Sequence, residues 1–217
     1  MPTPDTLAQI ASEVSACAKC ALHKTRTKSV PGEGPENAEI MLIGEGPGFN
    51  EDQQGRPFVG QAGQFLEQLL SLAGLKRSDV WIGNVVKCRP PGNRDPMPEE
   101  LQACHAYLER QIAALDPKII VTLGRFSMGK FFPTARISAV HGQMSRVGSR
   151  FVIPMFHPAA ALHNPTYLPL IKQDFAKLPE LLESARKELA KTNPPPAEPK
   201  PLYPATKDET PKQMKLF

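Results

Sequence analysis

Four short, largely apolar runs set the terms for what this chain can fold into: residues 39–44, 80–86, 118–124 and 151–156. Each is too short for a helix and too uniformly apolar for a strand with one wet face, so each reads as a strand buried on both sides. The stretches between them carry helical spacing. Leu7, Ile10, Ala11 and Val14 mark a helix over 6–16, and Phe65, Leu66, Leu69, Leu70 and Leu72 mark another over 61–73 that Gly74 ends. A third helix starts at Pro98 and runs to Leu115, a short one follows the third strand, and a last one covers 168–190. Strands alternating with helices predict an α/β fold: a three-layer α/β/α sandwich around a central four-stranded, mainly parallel sheet. In such folds ligands bind beyond the carboxyl ends of the strands. The loops at 44–52 and 84–93, and His157, fall at those ends and are expected to converge on one crevice.

The 217 residues, 41% of them hydrophobic, suffice for one sizeable core. No apolar run approaches the roughly 18 residues of a membrane-spanning helix. The first residues lack the basic start and apolar stretch of a secretion signal, so the expected location is cytoplasmic, at the nucleoid. The formal charge of +4 permits a polyanionic partner. Basic residues cluster at Lys24, Arg26 and Lys28, at Lys87, Arg89 and Arg94, and at Arg136, Arg146 and Arg150; if the fold brings them to one rim, they would hold a phosphate backbone. From Lys191 the chain is proline-rich and charged, too poor in large apolar groups to offset its ordering entropy. The expected organisation is a folded domain over 1–190 and a disordered tail over 191–217.

All four cysteines fall in two groups, Cys17 with Cys20, and Cys88 with Cys104. A two-residue gap lets one turn present two sulfurs to one centre, and four thiolates suit a thiophilic metal. The irregular second spacing suits a centre that staples distant segments more than a compact zinc ribbon. Two disulfides are the weaker reading, because nothing marks the chain for an oxidising compartment.

Gly44-Glu45-Gly46-Pro47-Gly48 is neither a dinucleotide fingerprint nor a P-loop: it lacks the third glycine, a helix directly behind it, and Gly-Lys-Ser/Thr. Together with Phe49-Asn50-Glu51-Asp52, Gly55-Arg56-Pro57-Phe58-Val59-Gly60, Asn84-Val85-Val86-Lys87-Cys88-Arg89-Pro90 and His157-Pro158-Ala159-Ala160, it closely resembles the family 4 uracil-DNA glycosylases. The resemblance runs from about Cys17 to the last helix. It implies a [4Fe–4S] cluster on Cys17, Cys20, Cys88 and Cys104. It also implies DNA as the partner, and an enzyme that flips uracil out of single- or double-stranded DNA and hydrolyses its N-glycosidic bond. No basic insertion like that of the covalently bonding class occurs between Asn84 and Cys104.

On that resemblance Phe58 stacks on the base, Asn84 reads its O4 and N3–H, and His157 donates to O2, helped by backbone N–H groups of Gly46 and Gly48. Glu51, Glu45 and Asn93 remain as candidates for positioning the attacking water, with Glu45 also read as orienting Asn93. His163 and Leu162 would lie near the duplex as a wedge. The alternative is a non-enzymatic iron–sulfur or zinc module that binds nucleic acid. The chain is expected to act as a monomer. Its last five residues, Gln213, Met214, Lys215, Leu216 and Phe217, resemble the short peptides that dock on bacterial DNA sliding clamps.

Overall fold

The computed structural model describes residues 5–192. The expected tail starts two residues late, since Lys191 and Thr192 still belong to the last helix; the rest of it, with the terminal peptide Gln213 to Phe217, lies outside the described residues. Strands β1 (Ile40–Gly44), β2 (Trp81–Asn84), β3 (Ile119–Leu123), β4 (Ser145–Val147) and β5 (Arg150–Met155) form one sheet in the order β2-β1-β3-β5-β4. The first three and β5 run parallel, and β4 pairs antiparallel with β5. The sheet therefore has five strands where four were expected. The additional strand is a three-residue edge element with Ser145 and Arg146 exposed and only Val147 partly buried, joined to β5 by a turn at Gly148 with φ +62°. It carries no apolar run by which a buried-strand pattern could find it.

Helices α1 (Leu7–Ala16), α2 (Phe49–Gln54), α3 (Gln61–Leu72), α4 (Pro98–Leu115), α5 (Arg125–Gly129), α6 (Ile137–Val140), α7 (Pro158–His163), α8 (Tyr167–Ala176) and α9 (Leu178–Thr192) complete the fold. Successive strand residues point to opposite faces. Ile40, Leu42, Val121 and Ile153 thus pack with Leu66, Leu69, Ile171 and Phe175 of α3 and α8, whereas Met41, Ile43, Ile120 and Val152 pack with Leu108 and Ile112 of α4. Helix α1 lays Ile10 and Val14 on Tyr107 at the outer side of α4. Among the described residues, no helix is long and apolar enough to cross a membrane.

Two differences in the helices have local causes. The single helix expected over 168–190 is interrupted at Lys177, because Pro179 cannot donate to the preceding turn but is accommodated in the first turn of α9. Helix α2 begins directly behind the Gly44–Gly48 turn, where a loop was expected. Its six residues are polar apart from Phe49, so it shows no apolar periodicity.

Chain order places β2 on one side of β1 and β3 on the other, so the chain reverses direction beside the carboxyl end of β1. That is where an open α/β sheet leaves a crevice. The free edge of β2 is covered by Glu33, which exchanges two backbone hydrogen bonds with Ile82 at 2.9 and 2.7 Å.

Candidate active site

A cleft of about 560 Å³ opens at the carboxyl ends of β1, β2 and β5. Glu45, Gly46, Gly48, Glu51, Phe58, Asn84, Asn93 and His157 all line it, joined by Arg94, Asp95 and His163. The structure thus brings together every residue singled out for the base and the water.

Phe58 lies over Gly44. A Cβ on Gly44 would stand 2.7 Å from the Phe58 ring and 2.5 Å from Asn84 Oδ1, so only glycine leaves room for both side chains. Phe58 holds φ +51°, a conformation that costs a bulky residue on the order of 1–3 kcal/mol unless its surroundings enforce it. They do. Arg77 donates to the carbonyls of Pro57 and Phe58 and pairs with Glu33, which also binds Arg56. Burial would raise the Glu33 pKa, but hydrogen bonds from Arg56 and Arg77 outweigh it and hold the carboxyl below its usual range. Beneath the turn, a Cβ on Gly63 would fall 1.9 Å from the Phe58 carbonyl oxygen. The Phe58 and His157 rings stack with centroids 5.5 Å apart.

Glu51 closes this turn from the other side. Its Oε1 accepts the N–H groups of Val59 and Gly60, both at 2.8 Å, and its Oε2 accepts that of Gly48 at 3.1 Å. The Gly48 N–H is therefore engaged, and within 46–48 only the Gly46 N–H lacks a partner among the described residues. Asn84 ends β2 and is only 2% exposed, yet its side-chain amide has no hydrogen-bond partner among the described residues. A buried amide left open toward a cleft is costly unless a ligand satisfies it.

His157 caps α7, its Nδ1 accepting the Ala159 N–H at 3.1 Å. The remaining proton of the neutral ring then sits on Nε2. Burial pulls the His157 pKa down to about 4, against the opposing pull of the Glu51 charge, so the imidazole is neutral at ordinary pH. The Glu45 carboxyl is pushed above its usual range, chiefly by burial and further by Asp95, and it makes no hydrogen bond among the described residues. Asn93, at φ +55°, is held by Arg89, whose Nε donates to its Oδ1 at 2.7 Å; Arg89 thus takes the role expected of Glu45. Leu162 is 48% exposed on α7 beside His163 at the cleft wall.

The basic clusters do not form one rim. Lys87 is buried at 1% exposure, and Arg150 sits at the amino end of β5, away from the cleft, paired with Asp116. Arg26 turns inward to donate to Cys88 Sγ at 3.1 Å and to the Ser15 carbonyl at 2.9 Å. Only Arg94, paired with buried Glu100 at 2.7 Å, lines the cleft.

The four cysteines line a second cavity, walled by Val14, Tyr107 and Lys87, and all four are free thiols. Burial pushes the Cys104 thiol up to about 11 and raises that of Cys88, despite the Arg26 hydrogen bond. Among the described residues, no three His, Cys, Asp or Glu side chains are grouped to hold a single metal ion. The donor set nevertheless fits a thiolate-bound cluster. All four cysteines line one small, largely apolar cavity, and a cluster's sulfur ligands stand further apart than those of one ion.

The family model of the uracil DNA glycosylase superfamily matches residues 31–187, beginning after the first cysteine pair. A type-4 uracil-DNA glycosylase of Sulfurisphaera tokodaii is 49% identical over 189 residues, 82% of this chain and 85% of that protein. Those of Saccharolobus solfataricus and Archaeoglobus fulgidus are each 47% identical, over 83% and 82% of this chain and 88% and 94% of their own lengths.

Proposed function

The chain belongs to the type-4 uracil-DNA glycosylases of the uracil-DNA glycosylase superfamily, and we propose that its cleft excises uracil from DNA, leaving an abasic site for repair. The observation that carries this reading is the Asn84 amide, buried without a partner beside a stacking ring and a neutral histidine. An amide supplies one donor and one acceptor, matching uracil O4 and N3–H; cytosine presents the reverse pattern. A non-enzymatic binding module gives no reason for these three groups to meet in one cleft.

The nucleotide must leave the base stack to reach this pocket. Phe58 then stacks on the base, and the Gly46 and Gly48 backbone closes over it. As the C1′–N1 bond breaks, its electron pair passes to the base and negative charge grows on O2. His157 Nε2–H, already oriented by the Ala159 N–H, donates to that oxygen without having to be protonated first. Water adds its oxygen to C1′ and gives up a proton. Glu45, unpartnered and with a raised pKa, is the group suited to take it. Glu51, with its charge spread over three backbone N–H groups, serves better to hold the Phe58 turn and to offset the cationic sugar. Asn93 borders the same space.

Cys17, Cys20, Cys88 and Cys104 would hold a [4Fe–4S] cluster that cross-links the N-terminal segment to the loop after β2; the hydrolysis itself involves no net redox change. The enzyme would act as a monomer, at the nucleoid where its DNA substrate lies. The peptide Gln213 to Phe217 would tether the enzyme to a sliding clamp through the proline-rich tail. The direct test is incubation with a uracil-containing oligonucleotide and its uracil-free match, followed by alkaline cleavage. Scission confined to the uracil position supports the proposal, and intact strands refute it.

A further inference from the structure

Lys87 is one of the largest fully buried side chains of the fold, at 1% exposure. Removing an ammonium from water costs several kcal/mol, and the hydrolysis assigned to the cleft makes no use of it. Its surroundings show where that cost is spent. Nζ donates to the backbone carbonyl of Asn84 at 2.7 Å and to Gln111 Oε1 at 2.6 Å. Gln111, equally buried, donates in turn to the Pro31 carbonyl at 2.7 Å. The Lys87 carbonyl accepts the Val30 N–H at 2.8 Å, and its backbone N–H faces the Cys104 sulfur.

The peptide between Asn84 and Val85 is consequently gripped on both sides. Its carbonyl is held by the Lys87 ammonium, and its N–H donates to the Gly44 carbonyl at 3.0 Å. Fixing both ends of that peptide plane fixes the backbone rotation of Asn84, and with it the direction in which the side-chain amide leaves the main chain. Asn84 Oδ1 and the Phe58 ring occupy the space above Gly44, so a small rotation would drive the amide into its neighbours or away from the base.

We propose that Lys87 is a positioning residue for base selection, aiming the Asn84 amide at uracil from a seat anchored beside the four-cysteine cavity. The inference rests on Asn84 as the base-reading group; a parent enzyme inactive on uracil DNA would remove that reading first, whereas an active one leaves this proposal to be tested separately. The lysine links the two sites: its ammonium holds the main chain of the cleft residue Asn84, and the residue itself lines the cysteine cavity.

The test compares Lys87→Met with Gln111→Leu in the full chain. Lys87→Met leaves the Asn84 carbonyl and Gln111 Oε1 unpaired in a dry interior, and Gln111→Leu leaves the Pro31 carbonyl unpaired and takes one acceptor from Lys87, so both are expected to melt lower. Only Lys87→Met releases the Asn84 carbonyl. Its single-turnover excision of uracil, measured where both variants are folded and carry parent-like iron, should fall roughly tenfold or more below the parent while affinity for the oligonucleotide changes little. Gln111→Leu should excise within a few-fold of the parent rate. A Lys87→Met protein that excises uracil at the parent rate would overturn the proposal. So would equal losses of excision in both variants, or a Lys87→Met protein that cannot fold, since the lysine would then be required by the core rather than by the reading of the base.

Discussion

Replacing Glu51 by alanine should separate a carboxylate that holds the site from one that performs the proton transfer. The side chain accepts three backbone N–H groups, from Gly48, Val59 and Gly60, at 2.8 to 3.1 Å. Hydrogen bonds to a charged group contribute on the order of 1.5–3 kcal/mol each. Water can reach this half-buried position and replace part of that, and the Phe58 turn would relax, returning roughly 1–2 kcal/mol of backbone strain. The net loss comes to about 3 kcal/mol, which for a chain of this size lowers the melting temperature by about 6–12 °C. Glu51→Gln should lose less, about 1 kcal/mol, because Oε1 still accepts Val59 and Gly60 while the new amide faces the Gly48 N–H. Calorimetric melting of the three proteins, with single-turnover excision on one uracil oligonucleotide, gives both readouts. Activity should follow the order of stability, parent above Gln above Ala. Alanine melting within about 2 °C of the parent, or a glutamine variant as inactive as alanine despite parent-like melting, would refute the holding role.

His157→Ala removes one donor to the developing oxyanion and should slow single-turnover excision by about 10²–10³-fold with little change in DNA affinity; a rate within a few-fold of the parent rejects that assignment. In pH profiles the neutral imidazole, with its pKa near 4, should cause no fall in rate between pH 8 and 6, whereas protonation of Glu45 should produce an acid limb that Glu45→Gln abolishes. The same histidine should make the fold weaken on acidification. Below its ordinary value of 6.5 the unfolded chain takes up a proton that the folded one refuses until about 4, and His157→Ala should flatten that slope in pH-dependent denaturation. Anaerobically purified protein should carry iron and acid-labile sulfide in equal amounts, reduced together with melting temperature in Cys104→Ser. Stoichiometric zinc without sulfide would contradict the cluster.

The parts of the fold that were legible in the sequence are those that pack in continuous apolar runs. β1, β2, β3 and β5 are buried on both faces, so their composition alone marks them. β4 and α2 escape the same reading because each is short and mostly polar, kept in place by backbone pairing or by Glu51 rather than by burial of an apolar face. The break between α8 and α9 was signalled by Pro179, though the apolar periodicity runs on across it. Glu45, Phe58, Asn84 and His157 could be named because the motifs that hold them, at glycine-rich turns and strand ends, resemble those of a known family. Their control could not. The grip of Arg77 and Glu33 on Phe58, and of Lys87 on Asn84, depends on side chains meeting from distant segments, or on a lysine turning inward where its charge suggests the surface.

The central claim is that the buried Asn84 amide reads uracil. Single-turnover excision by the parent and Asn84→Ala, on strands that differ only in carrying uracil or cytosine, tests it most directly. The account predicts rapid release of uracil and none of cytosine by the parent, with the Asn84→Ala rate on uracil reduced by about 10²-fold or more while the protein melts normally. A variant that releases uracil within a few-fold of the parent, or a parent that releases cytosine as readily as uracil, would contradict it.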